Sequence, residues 1–284
     1  MTNYIPTEFY EKIRDQIVQT ARKQNIARTL MPARLIEGGI GTMQYSFDTA
    51  TEVSDALISW GFTDNSEDVV GRSRQSKPIP VLHKEWRIGR RDIAAAKNGG
   101  YDLNMSTINS AAYRVANLEN QIVIDGYKPD GSTYEVKGLY QSAGNTVGDT
   151  LDFGTAGNAV IAVQKALDLF STDEINTNFN MLLNPTQYTE LAISIFGTAK
   201  EGIREMPMVK DLIGGNIIKT NWLTAGTGMI VAEPVGGFYE LIVAQDTTYE
   251  SDELQKSRDL WGRVYECILP VVYEENAICT LTVI

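Results

Sequence analysis

Histidine occurs once in this chain, at position 83. General acid–base and nucleophilic catalysis most often rest on an imidazole oriented by a third group. His83 stands between Leu82 and Lys84, with no serine, cysteine or acid at a spacing that marks a partner. A single histidine also excludes a histidine metal cluster. The two cysteines, Cys267 and Cys279, lie in apolar stretches near the end of the sequence; they are too few for a disulfide framework or a four-ligand zinc site. Buried free thiols are expected, with one bridge as the alternative if the two stretches run side by side. Gly38-Gly39-Ile40-Gly41 has the glycine content of a phosphate loop but no Lys-Ser or Lys-Thr after it, so it reads as a turn. Asp173 with Glu174, and Glu274 with Glu275, sit beside turn-like residues where solvated acids are ordinary. Asn104-Met105-Ser106 matches a glycosylation acceptor, which carries weight only in a secreted chain. No catalytic residue, cofactor-binding residue or metal ligand is therefore expected, and the chain does not read as an enzyme.

Composition narrows the remaining classes. The chain has 284 residues, 43% hydrophobic and 21% charged, enough to bury a substantial core and unlike a disordered chain. Its longest apolar runs, such as 268–273, fall far short of the roughly 20 residues that cross a bilayer. Residues 1–20 mix Glu8, Glu11, Lys12, Arg14 and Asp15 among the apolar positions, so no secretion signal is expected. The net charge of −11 is unevenly spread. Arg72, Arg74, Lys77, Lys84, Arg87, Arg90 and Arg91 crowd one stretch, while Asp246, Glu250, Asp252, Glu253 and Asp259 crowd another. A general nucleic-acid binder is expected to be basic overall, because phosphate neutralisation supplies its affinity. The basic stretch reads instead as a strip facing the acids of a neighbouring copy, with Arg72, Arg74, Arg87, Arg90, Arg91, Asp252 and Glu253 as candidate interface residues. Trp60, Trp86, Trp222 and Trp261 are scattered, as core and contact residues are.

The elements that must position this strip are mixed. Residues 7–25 read as a helix with a narrow stripe of Phe9, Ile13, Ile17 and Ala21. A strand over 43–47 and a second over 79–86 flank a polar stretch, 63–75, that reads as a long exposed excursion. Residues 104–126 give the clearest helix, with Ile108, Ala111, Ala112, Val115, Leu118 and Ile122 repeating at three and four, and Asn104 or Ser106 placed to cap it. A second helix carries Ala159, Val163, Leu167 and Phe170, and a third covers 186–196. Strands are expected near 181–183, 217–218, 229–232, 239–244, 264–272 and 277–284, with Gly236-Gly237 placed to turn a hairpin. Helices and strands do not alternate regularly, which argues for an α+β fold and against a doubly wound parallel sheet.

This order of elements resembles the Hong Kong 97 fold of tailed-phage major capsid proteins and encapsulin shells. The resemblance rests on Lys77-Pro78-Ile79-Pro80-Val81 and Trp86-Arg87-Ile88-Gly89-Arg90-Arg91-Asp92-Ile93, followed by the helix ending Glu119-Asn120-Gln121-Ile122-Val123-Ile124-Asp125-Gly126 and by Lys137-Gly138-Leu139. Gly214-Gly215-Asn216-Ile217-Ile218 and Ile242-Val243-Ala244-Gln245-Asp246 continue it. It implies an N-terminal helix or arm over 1–36 and an extended loop over 37–76. A peripheral domain with a long spine helix would take 77–137 and 246–284, and an axial domain 138–245. It further implies no cofactor and self-assembly into pentamers, with hexamers as a further option, of an icosahedral shell. The first reading is the capsid of a tailed virus or provirus, assembled in the host cytoplasm around double-stranded DNA without sequence-specific binding. The stretch 36–41 lacks the proline found at the corresponding place in encapsulins. The alternative is an encapsulin, a cytoplasmic nanocompartment enclosing cargo enzymes.

Overall fold

The computed structural model describes residues 11, 13, 15, 17, 26–50, 71–97, 105–196, 202–234, 237–253 and 259–284. Within that set Glu11, Ile13, Asp15 and Ile17 are helical, and the two isoleucines are buried. The single turn α1 (Ala27–Leu30) and the strand β1 (Ala33–Leu35) follow. Next come β2 (Gln44–Ala50), β3 (Arg72–Pro78), β4 (Val81–Ile88), α2 (Arg90–Lys97) and α3 (Ser106–Ile124). A small ribbon, β5 (Gly126–Tyr127) with β6 (Val136–Lys137), leads to β7 (Asn145–Val147), α4 (Asn158–Thr172), β8 (Phe179–Leu183) and α5 (Pro185–Ile193). A second small ribbon, β9 (Ile195–Phe196) with β10 (Ile203–Arg204), precedes α6 (Glu205–Ile213), β11 (Gly214–Lys219) and β12 (Thr227–Ala232). The chain finishes with β13 (Tyr239–Glu253), β14 (Leu260–Val272) and β15 (Ile278–Thr282).

Two sheets organise these elements. The first runs β1-β13-β14-β4, with β1 parallel to β13 and the other pairs antiparallel. The helix α3 packs across β4 and β14. Its periodicity dictates this: Ile108, Ala111, Ala112, Val115, Ile122 and Val123 share one face and are all buried. Each isoleucine and valine among them adds about 1.5–3 kcal/mol when fully removed from water, and each alanine less. The N-cap position falls on Met105, which has no side-chain cap, and Asn104 lies outside the described residues. At the helix end Leu139 N donates to Val123 O at 2.8 Å, and Gly138 lies so close that a Cβ there would come 2.6 Å from Gly126 N.

The second sheet runs β11-β8-β12-β15-β7 and is covered by α4 and α6. Every residue of β8 is buried, as befits a central strand, and Phe170 of α4 stacks on Phe179 at 4.4 Å. Asn184 caps α5 by accepting from Thr186 N at 3.0 Å, with Pro185 in the first turn where a missing N–H is harmless. Two apolar cores result: the larger joins the first sheet and α3 to one face of the second sheet, through Leu182, Met229, Val231 and Ile278, and the other lies on the opposite face of the second sheet under α4 and α6.

Two local expectations are corrected, and one, that the two cysteines are buried free thiols, is met. The strands flanking Gly236-Gly237 do not form a hairpin: β12 belongs to the second sheet and β13 to the first, so this connection carries the chain from one sheet to the other. Part of the excursion 63–75 is strand, because β3 pairs antiparallel with β2 from Gln44↔Pro78 to Ala50↔Arg72. Its polar sequence hides this, since backbone pairing there buries almost no side chain. The stretches holding Cys267 and Cys279 are likewise in different sheets, and both thiols are free and buried. Burial raises both thiols, that of Cys279 to about 12, so they stay protonated and inert. β15, which the resemblance groups with 246–284, is hydrogen-bonded between β12 and β7.

Gly262 faces Trp86 across the β14–β4 pair, and a Cβ there would run into the indole and come 2.7 Å from the Glu250 carbonyl oxygen. Gly262→Ala is therefore expected to cost about 1–3 kcal/mol by overpacking. A lowered thermal midpoint of the dissociated subunit checks it; an unchanged midpoint would mean that Trp86 moves aside freely.

Candidate assembly surfaces

The β2–β3 ribbon is the part of the subunit least able to stand alone. A two-stranded antiparallel ribbon is marginal in water, and β3 is exposed along almost its whole length. Only its root is fastened. Ile79 N donates to Met43 O at 2.9 Å, and Phe47 meets Tyr273 edge-on at 5.3 Å. The hydroxyls of Tyr45 (3.4 Å) and Tyr273 both donate to Glu240 Oε1, which also takes Arg34 at 3.2 Å. Burial first, and then the bond to Glu240, push the Tyr273 hydroxyl above the ordinary tyrosine range, so it remains a donor. Lys77 lies 5.4 Å from the Phe47 ring centroid, and its ammonium is pulled below the usual lysine range by burial and by Lys137. Farther out, Arg74 pairs with Asp48 at 2.9 Å and Ser46 with Ser76 at 3.2 Å, all exposed. Among the described residues each ribbon strand pairs only with the other, and an open strand edge is a template for another chain.

The candidate interface residues separate into two places. Arg72 and Arg74 ride on β3 of the ribbon. Arg87, at the end of β4, donates through Nε and Nη2 to Asp259 Oδ2, the former at 2.9 Å, and Arg90 N donates to Asp259 Oδ1 at 2.7 Å. Asp259 thus ties β4 and α2 together within one chain. Arg91 is exposed beside Arg90 in the first turn of α2. Asp252 and Glu253 lie opposite Trp261 and Leu260, which in turn lie opposite Arg87 and Ile88. Asp252 and Arg87 therefore occupy one row of the first sheet, two strand spacings or about 10 Å apart.

Two features escaped the sequence. The first is a polar cluster under α1. Arg28 Nε donates to Glu119 Oε1 at 2.8 Å, and Arg28 Nη2 lies 2.8 Å from Asp246 Oδ1 and 3.7 Å from Glu266 Oε2. Glu119 and Glu266 are buried, while Asp246 is 58% exposed. Thr247 Oγ1 donates to Glu266 Oε2 at 2.8 Å. Burial above all, and then Glu119, push the Glu266 carboxyl up to about 8. Burial works against the Arg28 charge, yet Glu119 and Asp246 more than compensate and hold its guanidinium above the usual range. The second feature is an apolar tip on the second sheet's body: Ile193 (71% exposed), Ile195, Phe196 and Ile203 (63% exposed) stand around β9–β10. Four residues of this kind in a short polar-flanked stretch carry no periodic signal.

His83 is on the exposed face of β4. Asp173 accepts from Asn145 at 2.6 Å and Glu274 accepts from Asn276 N at 3.4 Å, both structural bonds. Among the described residues no group of three or more histidine, cysteine or acidic side chains could hold a metal ion, and no helix is long and apolar enough to cross a membrane.

Comparison with known proteins agrees with surfaces built for contact. Residues 4–260 match the Linocin_M18 family model, described as encapsulating protein for peroxidase. The chain is 24% identical over 282 residues to the type 1 encapsulin shell protein EncA of Myxococcus xanthus, covering 98% of this chain and 94% of that one. Its fold superposes on the virus-like particle of Pyrococcus furiosus with a TM-score of 0.70 at 21% identity, covering 97% of this chain and 100% of the other. The capsid of Myoviridae phage XM1 gives a TM-score of 0.68 at 12% identity, with 88% and 90% covered. The fold is thus the Hong Kong 97-like α+β fold that the sequence resemblance implies.

Since Asp259 accepts from both Arg87 and the Arg90 amide while largely buried, Asp259→Ala is expected to cost about 1–3 kcal/mol through donors left unmatched. Arg74→Ala, on the solvated ribbon, should leave the urea unfolding curve of the subunit where it is. Equal midpoints for the two variants would show that Asp259 has no anchoring role.

Proposed function

The chain belongs to the Linocin_M18 family of encapsulating proteins, and from that premise we propose that it forms the wall of a closed cytoplasmic compartment that takes up cargo protein. It is a self-assembling structural shell protein. The order of the two sequence readings is thereby reversed: encapsulin now stands ahead of tailed-virus capsid, because the family match and the shell relatives carry that name.

The structural observation that carries assembly is the β2–β3 ribbon. Its root is bonded to its own subunit, and among the described residues its outer length offers exposed side chains and open edges that a neighbour would cover. The exposed tip at Ile193, Phe196 and Ile203 is a second surface that a copy of the chain would bury. The division into arm, extended loop 37–76, peripheral domain 77–137 with 246–284 and axial domain 138–245 belongs to this reading, as does assembly through pentamers, with hexamers as a further option. Charge favours protein contents over DNA. A chain of net charge −11 gives little of the counterion-release drive that holds a polyanion. The family description names a peroxidase, which makes that class the first cargo to test.

Electron microscopy of the purified chain should show closed particles, free of nuclease-protected double-stranded DNA and loaded with cargo when a peroxidase of the same source is co-expressed. A monomer under several buffers would overturn the shell, and protected DNA would restore the viral reading. Replacing 46–76 by a short Gly-Ser turn should leave the circular dichroism of the body intact and abolish particles.

The proposed strip of Arg72, Arg74, Arg87, Arg90 and Arg91 facing Asp252 and Glu253 of a neighbour is tested separately. Exposed pairs contribute only about 0–1 kcal/mol each, but they repeat at every contact. Arg90→Glu with Arg91→Glu should lower particle yield more than subunit stability, and high salt should imitate the change. Normal yield at every salt concentration would reduce the strip to a solvated face.

A further inference from the structure

β13 is irregular where it passes α1. Its register against β14 slips between Val243 and Gln245 and again between Gln245 and Thr248. A bulge re-aims side chains, and this one coincides with the contacts of Asp246 to Arg28 and Thr247 to Glu266. The two 2.8 Å contacts of Arg28 go to Glu119 and Asp246, leaving Glu266 the 3.7 Å one. Glu266 is fully buried, and its Oε1 has no hydrogen-bond partner. A buried carboxylate with one oxygen unmatched is expensive to keep ionised.

We propose that Arg28, Glu119, Asp246 and Glu266 form a proton-operated latch that fastens the N-terminal segment to the subunit body, closed while Glu266 holds a proton and loosened when it is lost. The segment in question is clasped at α1. Ile26 N and Ala27 N donate to Asn120 Oδ1 at 3.0 and 2.8 Å, Leu30 and Met31 are buried, and Leu241 N donates to Pro32 O at 2.9 Å. Glu119 and Asn120, adjacent on α3, thus bind the side chain of Arg28 and the first amides of its turn. Water reaches an ionised Glu266 most directly where Arg28 and Asp246 already touch solvent, so relief comes by lifting α1.

The groups facing Glu266 are Arg28 from α1, Glu119 from α3, Asp246 from β13 and, next to it on β14, Cys267; the β4 residue opposite it is the apolar Leu82. The sign follows from the raised carboxyl. In the closed form Glu266 keeps its proton up to about pH 8, whereas in the open form it ionises in the ordinary carboxylate range. Closure is strongest in acid, weakens as pH rises between those limits, and stops changing once the closed form also ionises. One proton released on opening makes the opening constant rise about tenfold per pH unit across that window.

Hydrogen exchange with mass spectrometry on peptides covering 26–35 tests this, comparing the native chain with Glu266→Gln at each pH so that intrinsic exchange cancels. The native-to-variant exchange ratio should climb by up to about tenfold per pH unit and flatten near pH 8. A ratio independent of pH overturns the latch. If the glutamine variant does not fold, Glu119→Gln supplies the comparison: it removes a like charge and turns Arg28 toward Glu266, so the dependence must end at lower pH. An unchanged end point overturns the proposal equally. The chain is measured in whichever state it purifies, particle or free subunit, so failure of the latch and failure of the shell reading are told apart.

Discussion

The pairing of β13 with β14 is longer than a four-stranded sheet of short partners requires, and the rest of the subunit is arranged along it. It runs from Tyr239↔Val272 to Glu253↔Leu260, and fifteen residues of strand reach about 50 Å. β1 occupies the outer edge of β13 over only three residues, and β4 the outer edge of β14 over eight. α3 lies across the β14–β4 side. Beyond Val272 the chain makes one short turn and enters the second sheet as β15, between β12 and β7. β12 and β13 make the same crossing in the opposite chain direction. With the earlier passage from α3 through β5 and β6 to β7, three covalent crossings, a hydroxyl bond from Tyr239 to Ala232 O and a core shared through Leu182, Met229, Val231 and Ile278 bind the two halves.

The first half tolerates a buried ionic cluster because it does not have to be optimal for stability. Replacing such groups by well-packed apolar ones is often neutral or stabilising, so Glu119 and Glu266 are not explained by strength. What they do supply is position. Arg28 can satisfy Glu119 only when α1 sits on α3, a pairing between residues 91 apart in sequence. A wholly apolar contact between Leu30, Met31 and α3 would permit sliding; the guanidinium and the Asn120 clasp do not. The second half contains Glu205 at the start of α6, fully buried and accepting from Gly157 N at the start of α4. There too a carboxylate fixes how one helix end meets another.

The sequence was legible where a local period reports burial. The three-and-four repeat of α3 and the face of α4 name their elements, and the all-buried β8 falls on an apolar run. It was illegible in two other situations. β3, Arg-Ser-Arg-Gln-Ser-Lys-Pro, has no apolar alternation because, beyond the root at Lys77, its side chains are exposed among the described residues. β12 and β13 each read correctly as strands, yet their partners could not be read, since pairing is decided by distant chain: β8 and β15 for one, β1 and β14 for the other. The Arg28 cluster was invisible for the same reason. Acids at 119, 246 and 266 are ordinary residues until the fold removes two of them from water.

Both appendages of the body are held by one short piece of β13. Glu240 receives Arg34, Tyr45 and Tyr273 and so fastens the ribbon root, while Asp246 receives Arg28 and helps fasten α1. Between them Leu241, Ile242 and Val243 carry the parallel pairing with β1, and Leu241 N also holds Pro32. Six residues of strand span about 20 Å, so the bonds that set the angle of the ribbon and the seat of the N-terminal segment share one rigid strip. β1 is the covalent link between the two, and it is too short to deform without breaking its ladder. The ribbon root and the seat of α1 are thus placed by neighbouring residues of one strand, with the register slip at 244–247 lying between the β1 ladder and the contact to Arg28.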